Sequence, residues 1–311
     1  MTTFPVGCYG KLPLHGDFIR QNAGTPELGL FDRWVQEGIV AGHTAAKGNW
    51  DDLFDHAPGS RFIYYCASTQ RLMPGVMVPS CDKVGRQYPF VVFTFAPLSM
   101  FGPDYPLAPA IFDDFFTHAH GVATNWIGQD LKTFLARVDK LAFTADVASK
   151  GTKFSVDLAH TKLTDLWTGA YGSATDPRRS LVLGNVAEVI KPNVNPRYAL
   201  RLPQAPGARD FAFWLEATRR MGARKLPPTM AVWNIAKDAT PACVTLLFED
   251  LLPKYFLPLL QPKLESDSVY QPGKVGLNDP KRQDAAKAKY GRINDSPGAV
   301  VGDLLDACGR V

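Results

Sequence analysis

Arg61-Phe-Ile-Tyr-Tyr-Cys-Ala67, Leu72-Met-Pro-Gly-Val-Met-Val78 and Tyr88-Pro-Phe-Val-Val-Phe-Thr-Phe-Ala96 follow one another with only short connections between them. All three runs are rich in aromatic and β-branched residues, the composition of a pleated, packed strand. Consecutive strands joined by short turns pair antiparallel, because a parallel pair needs a crossover of a dozen residues or more. The third run is apolar at nearly every position, which predicts burial on both faces. Pro74-Gly75 interrupts the second, which predicts an edge or bulged strand. The chain has no regular βα alternation and no GxGxxG, so a doubly wound nucleotide-binding sheet is not expected. The expected fold class is α/β of the α+β kind: a mainly antiparallel central sheet with helices packed on it.

Working outward, residues 5–10 read as a short strand. Thr25-Pro26-Glu27 reads as a helix start, with Thr at the N-cap, Pro at the first helical position and an acid in the first turn. Phe31, Trp34, Val35 and Ile39 recur at helical spacing, so the helix runs to about Lys47. Asn49 to Gly59 is acidic and turn-rich, and Pro97 to Pro109 is a proline-rich crossing. Ala110–Trp126 and Gln129–Val138 carry helical apolar faces. Further on, Ser180–Gly184 reads as a short strand and Arg209–Met221 as a helix. Thr229–Ile235 and Ala242–Phe248 read as strands around a turn rich in Lys, Asp, Ala and Pro. Leu251–Leu260 is a short helix or loop. These readings divide the chain into residues 1–150, an α/β region over 151–260, and a polar tail over 261–311 that is expected to be partly disordered or extended.

Of 311 residues, 46% are hydrophobic and 21% charged, the balance of an ordinary soluble globular protein. The five cysteines (Cys8, Cys66, Cys81, Cys243 and Cys308) form no CxxC pair and are odd in number, which fits a reducing compartment rather than a disulfide framework. No secretory signal pattern opens the chain. The longest strongly apolar run, Pro89 to Leu98, is too short to span a bilayer as a helix. A cytoplasmic protein is expected. Residues 1–153 hold 13 Lys+Arg and 14 Asp+Glu, a net of −1, which leaves 21 and 16, a net of +5, for the rest. Much of that excess lies between Lys191 and Lys225. It reads as a solvated face or as a docking patch for an acidic or phosphorylated partner. No helix-turn-helix, zinc-finger or RNP-like pattern accompanies it, so nucleic acid is not the expected partner.

Two segments gather Gly, Pro and charge beside these strands: Gly7-Cys-Tyr-Gly-Lys-Leu-Pro-Leu-His-Gly-Asp-Phe-Ile-Arg20 and Pro79-Ser-Cys-Asp-Lys-Val-Gly-Arg-Gln-Tyr-Pro89. Loops of this make on a packed scaffold are where binding groups sit. The candidate site residues are Lys11, Asp17, Arg20, Ser80, Asp82 and Arg86. One reading has Lys11 pair with Asp17, Asp17 and Arg20 share a helical face, and an Arg–Asp pair pin the loops. The other has Arg86 and Lys11 converge on an anionic group of a partner. Gly7 to Lys11 lacks the spacing and following Ser/Thr of a phosphate loop. His118-x-His120 would point to opposite sides of a helix, and neither HExxH nor Cys/His finger spacing occurs, so no metal and no cofactor are expected. No nucleophile elbow, SxxK or kinase signature is present. A chemistry built on Ser80, Asp82 and Arg86, or on Cys8, rests on polar clustering alone, and no catalytic residue is assigned.

With both segments in view, the chain resembles the TagF family of type VI secretion-associated proteins. The resemblance rests on Gly-x-Tyr-Gly-Lys-Leu-Pro-x-x-Gly-Asp-Phe-Ile, the helix with Asp32 and Trp34, the strand opening Arg61-Phe62, and a second motif on Met77, Pro79, Ser80, Asp82, Gly85, Arg86 and Pro89. It covers roughly residues 5–130; Pro227-Pro228-Thr229 to Trp233 and the run to Leu260 match loosely. The resemblance implies a non-enzymatic cytoplasmic repressor that acts post-translationally on type VI secretion, a contractile injection machine, by binding one of its components. It implies that a forkhead-associated scaffold protein is a candidate partner. A scaffold or adaptor of the apparatus is the alternative.

Overall fold

The computed structural model describes residues 2–192, 196–203, 207–235, 240 and 242–310. Its strands are β1 (Thr2–Phe4), β2 (Val6–Gly10), β3 (Ile19–Gln21), β4 (Ser60–Cys66), β5 (Arg71–Val78), β6 (Phe90–Thr94), β7 (Ala96–Pro97), β8 (Phe143–Ala145), β9 (Ala199–Pro203), β10 (Met230–Asn234), β11 (Cys243–Leu247) and β12 (Val269–Tyr270). Its α-helices are α1 (Pro26–Ala45), α2 (Trp50–Asp55), α3 (Ala108–Ile111), α4 (Asp113–Thr124), α5 (Leu131–Asp139), α6 (Val147–Ala159), α7 (Leu163–Tyr171), α8 (Arg178–Val189), α9 (Ala208–Met221), α10 (Phe256–Leu260), α11 (Pro280–Asn294) and α12 (Val301–Cys308).

Ten of the strands form one sheet in the order β12-β9-β11-β10-β4-β5-β6-β2-β3, with β7 beside β5; β1 and β8 pair separately. Every pairing is antiparallel except β12 with β9. The fold is α+β, with a mainly antiparallel sheet as expected. The β4-β5-β6 meander is its centre. Alternation along each strand sorts two cores. Phe62, Tyr64, Met73, Met77, Val91 and Phe93 face α1, α2 and α10. Ile63, Tyr65, Leu72, Val76, Phe90 and Val92 face the helices that follow β7. Thr25 caps α1, its hydroxyl accepting from the Leu28 amide at 3.3 Å. The stripe Leu28, Phe31 and Val35 then lies on the sheet, with Phe31 stacked on Phe62 at 5.1 Å.

Five expectations are corrected. The strand over 71–78 is neither edge nor bulged but internal, between β4 and β6. Its neighbour changes there from β6 (Gly75 opposite Phe93) to β7 (Leu72 opposite Ala96). Pro74, which has no N–H to donate, sits in that break. Ser180–Gly184 lies within helix α8, not a strand. Leu181, Val182, Leu183 and Val186 are buried around most of the helix, and a short segment apolar all round carries no period that separates strand from helix. Ala110–Trp126 divides at Phe112 into α3 and α4. The region from 261 onward is not an extended arm. It adds β12 to the sheet and packs α11 on α8 and α12 on α9. Tyr290, Val301, Leu304 and Cys308 are fully buried there. The sheet also crosses residue 150, because β10 pairs directly with β4. The turn between Ile235 and Ala242 lies, apart from Thr240, outside the described residues.

The last helices are tied in by a polar relay. The Trp167 indole N–H donates to Asn294 Oδ1 at 3.0 Å, and Asn294 Nδ2 donates to Ser180 Oγ at 3.0 Å. Asn294→Ala leaves a buried indole donor without an acceptor and is expected to lower stability by about 2 kcal/mol, the scale of an unsatisfied buried polar group. A chemical denaturation curve measures the loss; an unchanged midpoint would mean that water replaces the amide.

Candidate functional site

The first loop leaves β2 and returns as β3; the second joins β5 to β6. Both open at the same end of the sheet, because β2 pairs with β6 and β6 with β5. Gly10 brings them together. Its φ is +129°, and a Cβ there would lie 2.2 Å from the Pro89 carbonyl oxygen, so the backbones meet where only glycine fits.

Asp82 is the centre of the pair. Its side chain is wholly buried and accepts four hydrogen bonds or ion-pair contacts. Oδ1 takes the amides of Val84 at 3.1 Å and Arg86 at 2.9 Å; Oδ2 takes Lys11 Nζ at 3.1 Å and Arg86 Nε at 2.7 Å. Burial by itself would raise this carboxyl's pKa. The Arg86 amide, the Lys11 and Arg86 side chains and the Val84 amide outweigh it and hold the group well below the ordinary carboxylate range. Gly85 N–H donates to the Asp82 carbonyl at 2.9 Å and has φ +88°, closing a tight turn over the carboxylate. Two further bonds cross between loops. Arg86 Nη2 donates to the Gly16 carbonyl at 2.6 Å, and the Lys83 amide donates to the His15 carbonyl at 3.0 Å. From outside, Trp50 Nε1 donates to Gln87 Oε1 at 2.7 Å, which anchors the second loop to α2.

An aromatic platform flanks this node. Phe18 stacks on Tyr9 at 5.3 Å and meets Tyr88 edge-on at 4.8 Å. Lys11 Nζ lies 5.2 Å from the Phe18 ring centre, and the Arg20 guanidinium 5.5 Å from that of Tyr9. The Tyr88 hydroxyl donates to Asp32 on α1. Burial, with the Asp32 charge added, pushes the Tyr9 hydroxyl up to about 12.

Three of the six expected residues, Lys11, Asp82 and Arg86, are joined in one cluster. Lys11 pairs with Asp82 and not with Asp17. Asp17 is exposed, its carboxylate accepting from the Phe18 amide at 2.7 Å. Asp17 and Arg20 share no helix, since Arg20 lies in β3. Ser80 contributes its carbonyl, which accepts from the Tyr88 amide at 2.9 Å. The convergence of Lys11 and Arg86 is therefore on an internal anion. What faces solvent is Asp17, Arg20, Lys83, Val84 and part of Arg86, whose side chain is 60% exposed. Lys83 and Val84 lie inside the quoted segment, yet nothing in residue type separated them from Asp82. The platform aromatics Tyr9, Phe18 and Tyr88 carried a signal in their position, one beside each strand end.

Elsewhere, Cys8 is buried and burial pushes its thiol up to about 12, which keeps it protonated at neutral pH. Among the described residues no three His, Cys, Asp or Glu side chains are placed to hold a metal ion, and no helix is long and apolar enough to cross a membrane. Much of the basic stretch is spent internally. Arg201 donates to the carbonyls of Pro258, Pro262 and Leu264, Arg219 pairs with Glu216, and Arg220 pairs with Glu216 and Asp306.

A family described as the TagF N-terminal domain, type VI secretion system-associated, matches residues 7–141. Both loops, α1 and the β4-β5-β6 meander lie inside that span. No curated protein matches the chain. Among solved structures, the crystal structure of PA0076 from Pseudomonas aeruginosa PAO1 is similar with a TM-score of 0.41 and 24% identity. The likeness covers 45% of this chain and 63% of that one, less than two thirds of its length.

Proposed function

Taking as premise that residues 7–141 belong to the TagF N-terminal domain family, which is type VI secretion system-associated, we propose that this protein represses type VI secretion post-translationally. It does so in the cytoplasm, without catalysis, by binding a component of the secretion apparatus through the paired loops. The observation that supports this is the division of labour around Asp82. One buried carboxylate satisfies Lys11, the Arg86 side chain and two amides, which stiffens both loops. Arg20 and Lys83 are left outside, exposed and without an acidic partner within 4 Å among the described residues. A surface ordered before it meets a partner loses little conformational entropy on binding. The forkhead-associated scaffold is the component to test first.

Arg20→Glu with Lys83→Glu reverses the outward charge and leaves the Asp82 cluster intact. In a host with an active apparatus, the double variant is expected to release secretion. In a pull-down with the purified scaffold it is expected to bind at least about tenfold more weakly, the effect of roughly 1.4 kcal/mol. Its melting temperature should stay within about 2 °C of the parent, as for surface changes. A stable variant that still represses would place the binding surface elsewhere.

A further inference from the structure

The turn at the tip of the second loop carries a residue that folding does not call for. Asp82-Lys83-Val84-Gly85 is a β-turn, closed by the Gly85 amide on the Asp82 carbonyl at 2.9 Å. Aspartate at its first position and glycine at its last are the residues such a turn prefers. Val84, at the third, is not: a β-branched apolar side chain finds nothing to pack against at an exposed turn. It is 72% exposed and belongs to neither of the two cores. A local preference set aside with no gain in packing points to function.

The tip is rigid and it protrudes. The Asp82 amide donates to the Arg86 carbonyl at 3.1 Å and the Lys83 amide to the His15 carbonyl at 3.0 Å. The Val84 and Arg86 amides donate to Asp82 Oδ1, and the Gly85 amide closes the turn. Every N–H from Asp82 to Arg86 is thus spent inside the loop pair, which leaves a partner the side chains to read. A Cβ on Gly85, or on Gly16 whose carbonyl Arg86 holds, would meet nothing within 4 Å, so the turn stands clear of the body. Beside Val84 in the chain, Lys83 is exposed and has no acidic partner within 4 Å among the described residues. Over the two loops Lys11, Arg20, Lys83 and Arg86 stand against Asp17 and Asp82, a net of +2. Asp55 of α2, the acid tied to the second loop, accepts from Gln87 Nε2 at 2.9 Å.

We propose that Val84 is the anchor of the repressor surface, and that the protein partner offers it a concave apolar socket with an acidic rim where Lys83 lies. This rests on the repressor reading of the paired loops and names the chemistry of the component they bind. A convex apolar tip is buried by a concave partner, and an anchor already held in place gives up little entropy when it docks. Arg20 and Lys83 supply charge complementarity at the edge, while Val84 supplies the desolvated centre. Val84 holds the turn through its amide alone, so its side chain can be changed without loosening the loops.

The test uses the full chain in a host with an active apparatus. Val84→Asn keeps the charge and suits the turn. It is expected to release secretion, with a melting temperature within about 2 °C of the parent. Val84→Ile keeps the apolar tip and is expected to repress as the parent does. So is Val156→Asn, which changes a 52% exposed valine on α6. To read the partner, photoreactive benzoylphenylalanine replaces His15, whose carbonyl holds the Lys83 amide. Illumination is expected to join it to one protein of the apparatus, at an apolar segment flanked by acidic residues. Val84→Asn is expected to reduce that product at least about tenfold. A stable Val84→Asn that represses while Arg20→Glu with Lys83→Glu releases secretion overturns the socket and leaves the repressor reading standing. If neither releases it, the repressor reading fails and the socket with it. Release by Val84→Ile as full as by Val84→Asn also overturns the proposal. So does a cross-link that is absent, that Val84→Asn leaves undiminished, or that goes only to a second copy of this chain, to lipid or to a lysine-rich segment.

Discussion

Gly10→Ala is expected to lower folding stability by about 3–5 kcal/mol, the largest loss from a single methyl group anywhere in the two loops. Two effects add. The φ of +129° lies where a residue with a side chain is strained. The added Cβ would also stand 2.2 Å from the Pro89 carbonyl oxygen and 2.8 Å from the Phe90 Cα. Both are backbone atoms, so no rotamer change relieves the clash, and β2 must move off β6 at the point where both loops begin. Urea denaturation would read the change as a lower midpoint with little change in slope. Gly16→Ala is the matched control. Its Cβ would meet nothing within 4 Å, and its φ lies outside the strained region. Its midpoint is expected to stay within the narrow range of surface substitutions, about 0.5 kcal/mol. If Gly10→Ala melts like Gly16→Ala, the approach of the two backbones is not what holds the loops in register.

Asp82→Asn is expected to lower the melting temperature by on the order of 10 °C. An asparagine keeps an acceptor for the Val84 and Arg86 amides but removes the charge. Lys11, buried and with Asp82 as its ion-pair partner, is then left as an uncompensated cation in the core. Lys11→Met in the same background removes that cation and is expected to recover most of the loss, the behaviour of a buried pair replaced whole rather than halved. Arg86→Ala, at an exposed side chain, is expected to be milder than Asp82→Asn. The pH dependence follows from the depressed pKa. A carboxylate whose folded pKa lies below its unfolded value of about 3.9 contributes stability above that value and loses it as pH falls toward the folded pKa. The gap in melting temperature between the parent and Asp82→Asn should therefore be constant from neutral pH to about pH 5 and narrow below about pH 4. A gap independent of pH down to that region would mean that packing, not charge, accounts for the role of Asp82.

The central meander and α1 were legible because their signals are local. Residue type, period and the Thr25-Pro26 cap all act within one turn or one strand. The position of β5 was not, because whether Pro74 lies at an edge depends on where the neighbouring strand breaks. Helix α8 was misread for a related reason: its surroundings bury it on most sides and erase the period that would mark it. The region after 261 looked unable to build a core of its own. It has none, and instead places Tyr290, Leu304 and Cys308 against helices α6 to α9.

Residue type and spacing alone identified the two loops, the antiparallel class of the sheet and a resemblance over roughly residues 5–130 to the family whose model matches residues 7–141, since each is written in contiguous residues. Which charges meet was decided only in three dimensions. Lys11 is six residues from Asp17 and seventy-one from Asp82, yet it pairs with Asp82 because β2, β6 and β5 lie side by side. In a buried setting a cation goes to the carboxylate that the amides and Arg86 have already fixed in place. The same tertiary placement left Arg20, Lys83 and Val84 outside as the presented surface.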